Sequence, residues 1–91
     1  MDATTRRSLK ARGQTLRVEA WLGKEGVHPA MVDTLARVFD KSDLVKVRIG
    51  LGAGAERKQL AQSLAEAVGA EVVVVIGRNA LLFKEPPTLE F

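Results

Sequence analysis

Two glycines, separated by a lysine and a glutamate, stand where a strand-like segment gives way to a helix-like one. The tetrapeptide is Gly23, Lys24, Glu25 and Gly26. Glycine allows positive φ angles and close approach of another backbone, and free N–H groups at the start of a helix attract anions. With the charge of Lys24 added, this pattern predicts a loop that holds the phosphates of a nucleic-acid backbone. A plain connecting turn is the alternative, because glycines at this spacing are common by chance and Glu25 opposes anion binding.

Positive charge is concentrated on the same part of the chain. Six lysines and arginines fall in the first 24 residues, opposed there only by Asp2 and Glu19, although the whole chain carries a formal net charge of only +3. A one-sided cationic surface favours polyanions, nucleic acid first and anionic membranes second. Glycines, helix-start N–H groups and a positive charge are also combined in the GxxG loop of KH domains, which clamps a few nucleotides by their backbone. A basic helix that serves only solubility is the alternative.

Further candidate phosphate contacts lie on three predicted parts of the chain. They are the basic residues around the first helix, two on a later strand and one in a later turn: Arg6, Arg7, Lys10, Arg12, Arg17, Lys46, Arg48 and Arg78. Trp21, directly before the glycine loop, has two possible roles. Its ring could stack on a base, or it could pack beneath the first helix.

The remaining residues offer little chemistry. The chain contains no cysteine, which excludes disulfides, thiolate zinc sites and cysteine nucleophiles. His28 is the single histidine, so we expect it to cap a helix or lie exposed, and we expect no metal site. No pair of carboxylates sits in the apolar setting that acid–base catalysis needs. The sequence therefore predicts no enzyme, no cofactor and no small-molecule substrate.

A second glycine-rich stretch, GLGAGA at residues 50–55, also lies between a predicted strand and a predicted helix. Its spacing nearly matches a dinucleotide-binding fingerprint, but the chain is too short for the doubly wound fold. The fingerprint also requires an acidic residue at the end of the next strand, whereas Glu71 stands at the beginning of that strand. No Gly-Lys-Ser/Thr follows, as a Walker A loop requires. We interpret the stretch as a permissive loop, with nucleotide binding as a minor alternative.

Hydrophobic periodicity predicts the order α-β-α-β-α-β-β. The predicted helices cover residues 4–16, 27–43 and 55–70, and the strands cover residues 17–22, 44–50, 71–77 and 80–84. Thr4 or Thr5 is expected to cap the first helix. The third strand is apolar on both faces, which is typical of a central strand. The pattern indicates an α/β (α+β) fold with helices against a small four-stranded mixed sheet, and leaves open whether the three helices share one face.

The length of 91 residues predicts a single domain, residues 1–85. Residues 86–91 are expected to form a flexible tail, because Pro86 and Pro87 cannot donate to a sheet. No apolar run approaches the roughly 18 residues of a membrane span, and the polar N-terminus lacks the apolar core of a secretion signal. Together with the absence of cysteine, this predicts a cytoplasmic protein.

Four motifs together resemble a known family. They are GK-x-G at the first loop, LVKV, RK-x-x-A-x-x-LA-x-x-x-GA, and V-x-x-IGR followed by a short apolar strand. The chain, over roughly residues 4 to 84, is similar to the CRM domain (chloroplast RNA splicing and ribosome maturation), in particular to its free-standing YhbY-like bacterial members. The resemblance implies the α-β-α-β-α-β-β fold of the C-terminal domain of bacterial translation initiation factor three.

The resemblance also implies a function. Members of the family bind structured RNA without a cofactor, and the bacterial single-domain members associate with precursors of the large ribosomal subunit. It therefore implies ribosomal RNA in such precursors as the partner, assistance of ribosome assembly as the role, and the loop from Gly23 to Gly26 with the adjoining basic surface as the contact. The alternative function is a protein-interaction adaptor that docks through an apolar edge near Leu82 and Phe83.

Overall fold

Seven regular segments follow one another in the part of the chain that the computed structural model describes, residues 1–23, 25–50 and 56–85. The helices are α1 (Ala3–Gly13), α2 (Pro29–Phe39) and α3 (Arg57–Val68). The strands are β1 (Val18–Leu22), β2 (Leu44–Ile49), β3 (Glu71–Ile76) and β4 (Asn79–Phe83). This confirms the predicted order and class. The predicted tail, residues 86–91, and residues 51–55 of the second glycine-rich stretch lie outside the described residues.

The N-cap of helix α1 is Asp2, which precedes both of its threonines. The carboxylate of Asp2 accepts a hydrogen bond from the N–H of Thr5 at 2.7 Å, so the prediction of Thr4 or Thr5 as the cap is wrong. Aspartate is among the strongest N-caps because its charged oxygen satisfies a backbone N–H of the first turn. The same hydrogen bond lowers the pKa of the Asp2 carboxyl from its usual value.

Local sequence signals mark the start of α2 and the end of α3, although α2 ends at Phe39 and not at residue 43 as predicted. Pro29 is the first residue of α2, where its missing N–H costs little. His28 precedes it, and its Nδ1 accepts from the N–H of Ala30 at 3.2 Å, which confirms the predicted capping role. Gly69 ends α3 with φ of 74°, in the left-handed region that a C-cap glycine adopts.

The four strands form one mixed sheet in the order β1-β2-β4-β3. Strands β1 and β2 are parallel, and β4 pairs antiparallel with both β2 and β3. The prediction of β3 as a central strand is therefore wrong, since β3 lies at an edge and β4 lies inside. Strand β3 is apolar on both faces for another reason: Val72 and Val75 pack against one cluster of core residues, and Val73 and Val74 against the other.

Helices α2 and α3 cover one face of the sheet, which we call the closed face. It holds the larger core, built from alternate residues of the strands and the apolar stripes of the two helices. The buried members are Leu22, Leu35, Phe39, Val45, Val47, Ile49, Ala61, Leu64, Ala65, Val68, Ala80 and Leu82. The predicted division of β2, with three apolar residues on one face and Lys46 and Arg48 on the other, agrees with this burial.

Helix α1 lies alone on the opposite face, which we call the α1 face. Its Leu9 packs with Leu44, Val73 and Leu81 in a second, smaller cluster. Gly13 lets the helix approach the sheet closely, because a Cβ at this position would stand 2.6 Å from Leu81 Cδ2. The three helices therefore do not share one face.

The apolar edge proposed for the adaptor function is not an edge. Strand β4 is flanked by β2 and β3, so its backbone is paired on both sides. Leu82 is fully buried beneath the closed-face helices, and Phe83 packs partly buried against the α1 cluster. Neither side chain offers a free docking surface, which corrects that prediction.

Candidate nucleic-acid interface

The glycine loop joins β1 to α2. The N–H of Gly26 donates to the carbonyl of Gly23 at 3.0 Å and closes a turn, and Gly26 has φ of 78°, which favours glycine. Gly23 is exposed, and a Cβ there would meet nothing within 4 Å. Glu25 is exposed as well, whereas Lys24 lies outside the described residues. The surface at Gly23 is thus open to a ligand, but the Gly26 amide is already engaged.

Fewer amides point out of the start of α2 than the sequence suggests. Pro29 has no N–H, and the N–H of Ala30 donates to His28. The N–H of Val32 already bonds to the carbonyl of His28 within the helix. An anion at this loop would therefore rely on side-chain cations more than on helix amides.

Three connections meet at one end of the strands, beyond the carboxyl ends of β1 and β2. We call this rim of the sheet the loop edge. The N–H of Gly50 donates to the carbonyl of Leu22 at 2.8 Å, which places the end of β2 beside the glycine loop. The N–H of Ile49 donates to the carbonyl of Arg78 at 2.6 Å, which brings the β3–β4 turn to the same edge. Exposed Arg78 and the glycine loop therefore share this edge, although they are far apart in sequence.

Two of the predicted contacts lie at the opposite edge. Arg17 precedes β1 while Gly23 follows it, and a strand of five residues separates its ends by about 16 Å. Arg12 pairs with Asp43, the residue before β2, at 2.6 Å, and β2 runs parallel to β1. The hydrogen bond from Arg12 lowers the pKa of Asp43, and the same bond raises the pKa of Arg12. Arg12 is thus both distant from the loop and neutralised.

The other basic residues of the first helix spread over the α1 face. A guanidinium N–H of Arg6 donates to the carbonyl of Val73 on β3, and Arg7 is exposed. Lys10 lines a cavity between α1 and the sheet together with Lys46 of β2. The structure therefore does not gather the predicted N-terminal cations at the glycine loop.

Trp21 and Arg48 form a pair that sequence reasoning missed. The two residues are register partners on β1 and β2, and the guanidinium carbon of Arg48 stands 5.4 Å from the centroid of the Trp21 ring. The tryptophan is 65% exposed, so it does not pack beneath α1. A guanidinium over an aromatic face is a cation–π contact. Alternation predicts the face of each residue, but only strand register brings them together.

Arg57, at the start of α3, is a further cation that the sequence-based candidates omitted. Its guanidinium donates to the carbonyl of Gly77 at 3.1 Å, which places it beside the β3–β4 turn of the loop edge. Lys58 follows it and is exposed. Both residues belong to the RK-x-x-A motif quoted above, and that motif was the sequence signal that could have identified them as candidate contacts.

Residues 1–23, 25–50 and 56–85 contain neither a cluster of metal ligands nor a membrane-spanning helix. In that part of the chain no three histidine, aspartate or glutamate side chains lie together as metal ligands would. The helices there are all too short or too polar to cross a bilayer.

Comparison with known proteins agrees with the motifs. The CRS1/YhbY (CRM) domain model matches residues 1–84. A protein of Methanocaldococcus jannaschii, named a probable RNA-binding protein, is 32% identical over 81 residues, which cover 87% of this chain and 60% of that protein. The chain thus spans about three-fifths of the length of this relative.

A solved structure shares the fold. It is the solution structure of a hypothetical Staphylococcus aureus protein, described as a candidate RNA-binding protein. The two structures superpose with a TM-score of 0.83, covering 99% of this chain and 94% of the other, at 23% sequence identity.

Proposed function

Since this chain belongs to the CRS1/YhbY (CRM) domain family, as its motifs indicated, we propose that it is a non-enzymatic RNA-binding protein. Its partner is structured ribosomal RNA in precursors of the large ribosomal subunit, and its role is to assist their assembly in the cytoplasm. The printed descriptions of the two relatives support RNA as the partner. The family resemblance described above supports the ribosomal role.

One structural observation carries the proposal: exposed glycine and cationic side chains meet at the loop edge. Arg78 lies in the β3–β4 turn, Arg57 touches that turn, and Arg48 stands one residue before the end of β2. Arginine binds phosphate through a planar fork of donors, and most protein contacts to nucleic acid are made to the backbone. The loop edge is therefore suited to a sugar-phosphate chain.

Within this proposal the predicted contacts do not carry equal weight. Lys24, Arg48 and Arg78 make the main phosphate contacts, and exposed Gly23 lets the RNA backbone approach without meeting a side chain. The amide of Gly26 takes no part, because it bonds to the carbonyl of Gly23. Arg12 contributes little, because its charge is paired with Asp43 at the opposite edge.

A matched pair of arginine variants tests the loop edge. Arg78→Ala and Arg12→Ala each remove one exposed arginine, one at the loop edge and one at the opposite edge. Affinity for a fragment of large-subunit ribosomal RNA is measured by fluorescence anisotropy over a range of salt concentrations. Three or four phosphate contacts give the wild type a log–log slope of about −2 to −4. Arg78→Ala should lower the magnitude of that slope by about 1, and Arg12→Ala should leave it unchanged.

A lysine pair tests the glycine loop in the same assay. Lys24→Asp reverses a charge within the loop, and Lys41→Asp reverses a charge at the exposed C-terminal end of α2. The first should weaken RNA binding more than tenfold, and the second should change it less than threefold, because only the first charge adjoins the proposed phosphate. Equal effects of both reversals would mean that the loop is only a turn.

The two parts of the proposal fail in different ways. If the wild-type protein binds no RNA, or if its affinity for RNA does not change with salt, the proposed binding through phosphate contacts is wrong. For the ribosomal role, the protein in a cell lysate should sediment with large-subunit precursors and be released by ribonuclease. Cosedimentation that survives ribonuclease would instead indicate docking on a protein.

A further inference from the structure

A row of four side chains crosses the sheet beside the loop edge. Trp21 of β1 pairs with Arg48 of β2, Arg48 pairs with Asn79 of β4, and Asn79 pairs with Ile76 of β3. Residues that are directly opposite on neighbouring strands point to the same face. The four side chains, which we call the cross-strand row, therefore lie together on the α1 face and span about 14 Å.

Helix α1 leaves the two ends of this row exposed. The helix packs over the rows further from the loop edge, where Leu81, Leu44 and Phe83 belong to its cluster. In the cross-strand row, by contrast, Trp21 is 65% exposed and Ile76 is 51% exposed. Two large apolar side chains that are exposed in the same row indicate an interaction site more strongly than apolar residues scattered singly over the surface do.

A cavity of about 290 Å³ lies between α1 and the Asn79–Ile76 end of the row. This is near the lower limit of ligand pockets, which suits one aromatic base better than a drug-sized molecule. Its walls combine aliphatic surface with amides and two lysines, without any carboxylate among the described lining residues. These are Lys10, Gly13, Gln14, Lys46, Val74, Ile76, Asn79 and Leu81.

Asn79 has a hydrogen-bonding capacity that the described protein does not use. Its Oδ1 is buried and has no hydrogen-bond partner among the described residues, which is uncommon for a buried polar atom. The amide therefore has no Oδ1 bond to lose if it rotates toward a ligand in the cavity. An asparagine amide presents a donor and an acceptor side by side, as the edge of a nucleobase does.

We propose that the cross-strand row and its cavity bind unpaired RNA bases. One base stacks on the Trp21–Arg48 pair, and a neighbouring base enters the cavity, where the Asn79 amide bonds to its edge. The proposal rests on the RNA-binding function above and adds that this protein recognises bases as well as backbone. The occupant is looped or single-stranded RNA, because only unstacked bases expose their faces and edges to protein side chains.

Charge favours RNA over a protein partner at this surface. Arg48, Lys46 and Lys10 lie at the row and the cavity, whereas the acid on β1 is Glu19, two residues before Trp21. Phosphates that flank the bound bases would meet these cations. The row also begins two residues before Gly23, so one RNA strand could pass from the glycine loop onto the row.

Trp21 reports directly on this proposal. It is the sole tryptophan, and the chain has no tyrosine, so intrinsic fluorescence comes from this one side chain. An unstructured oligonucleotide and an RNA duplex of equal length are titrated separately, with anisotropy of labelled RNA as a second readout. The single strand should quench the fluorescence strongly, because a base stacks on the ring. The duplex, whose bases are stacked on each other, should quench little.

Variants of Trp21 should then separate single strands from duplex. Trp21→Ala should weaken binding of the single strand by roughly 5- to 100-fold, as loss of one base–aromatic stack does, and should change duplex binding less than about twofold. Trp21→Phe should retain most of the affinity. Because Trp21 is largely exposed, thermal melting should show that both variants remain folded.

A matched pair of charge variants controls for electrostatics. Arg48→Gln removes the row cation, and Arg37→Gln removes an exposed cation from α2, which lies against the closed face. Only Arg48→Gln should reduce the discrimination between single strand and duplex. If Trp21→Ala binds the single strand as tightly as the wild type does, base binding at the row is overturned, while RNA binding by the loop edge stands. If the wild type binds neither RNA, the proposed function itself fails.

Discussion

The two faces of the sheet differ in how completely helices cover them. The closed face is packed by α2 and α3, and core leucines such as Leu64 and Leu82 have no exposed surface. The α1 face is packed by one short helix, whose buried residues are Leu9 and Gly13, and by the partly buried Leu16 that follows it. A single short apolar stripe cannot cover a four-stranded sheet, so Trp21 and Ile76, at the two ends of one row, stay exposed. Stability therefore resides mainly on the closed face, and the surface suited to binding lies on the other.

The largest expected effect is a difference in the free energy of unfolding between two variants, each altered at one face of the sheet. Leu82→Ala should lower the free energy of unfolding by about 2–5 kcal/mol, because it leaves a cavity in the closed-face core. Trp21→Ala should lower it by less than about 1 kcal/mol, since the ring is mostly solvated. Urea denaturation measures both. Comparable losses would show that the cross-strand row is a packing surface and would remove the distinction between the faces.

A smaller effect compares two glycines. Gly13→Val should lower the free energy of unfolding by about 1–3 kcal/mol, because the added carbons meet the buried side chain of Leu81 and push α1 from the sheet. Gly23→Ala, where a Cβ meets nothing within 4 Å, should change it by less than about 0.5 kcal/mol. Urea denaturation again provides the measurement.

These glycine variants also separate a structural role from a binding role. Gly23→Ala should weaken RNA binding in spite of its normal stability, because the methyl group holds the RNA backbone away from the loop. If it binds RNA as the wild type does, close backbone approach at Gly23 is not required. If Gly13→Val is as stable as the wild type, α1 is not held as closely to the sheet as its contact with Leu81 indicates.

The smallest effect concerns the edge opposite the loop. Asp43→Asn removes the partner of Arg12 and should lower the free energy of unfolding by at most about 1 kcal/mol, because solvent reaches both side chains, which are 51% and 30% exposed. The folded-state pKa of Asp43 is lowered, so its contribution is complete above the unfolded value of about 3.9 and is lost as the pH falls through the folded value.

The measurement for this pair is the difference between wild type and Asp43→Asn in urea denaturation at neutral and at acidic pH. The difference should be present at neutral pH and should shrink in acid. A difference that is constant across this range would mean that Asp43 acts through packing or its uncharged hydrogen bonds. RNA binding should be the same for both proteins, because this edge lies away from the loop.

Much of the fold could be predicted because it depends on neighbours in sequence. The inward residues of α2 and α3 follow a helical period, and the two faces of β2 follow a period of two. Pro29 and Gly69 mark a helix start and a helix end through their own backbone preferences. The family resemblance combined several such local motifs, and the family match over residues 1–84 confirmed it.

The predictions that failed depended on partners distant in sequence. An apolar run on both faces predicted that β3 is central, yet β3 is an edge strand covered by α1 on one side and α3 on the other. The sequence predicts a single surface for the N-terminal cations, yet Arg12 is held by Asp43 at the edge opposite the loop. Neither outcome can be read from spacing along the chain.

Periodicity and turn-forming residues were thus sufficient to predict the type and order of the elements, the apolar sides of α2, α3 and β2, and the position of the glycine loop. Strand order, the face that α1 occupies and the meeting of Trp21, Arg48, Asn79 and Ile76 required the folded chain. The physical reason is the range of the interactions. Backbone preferences and amphipathic patterns act over a few residues, whereas strand register is set by contacts between segments that only folding brings together.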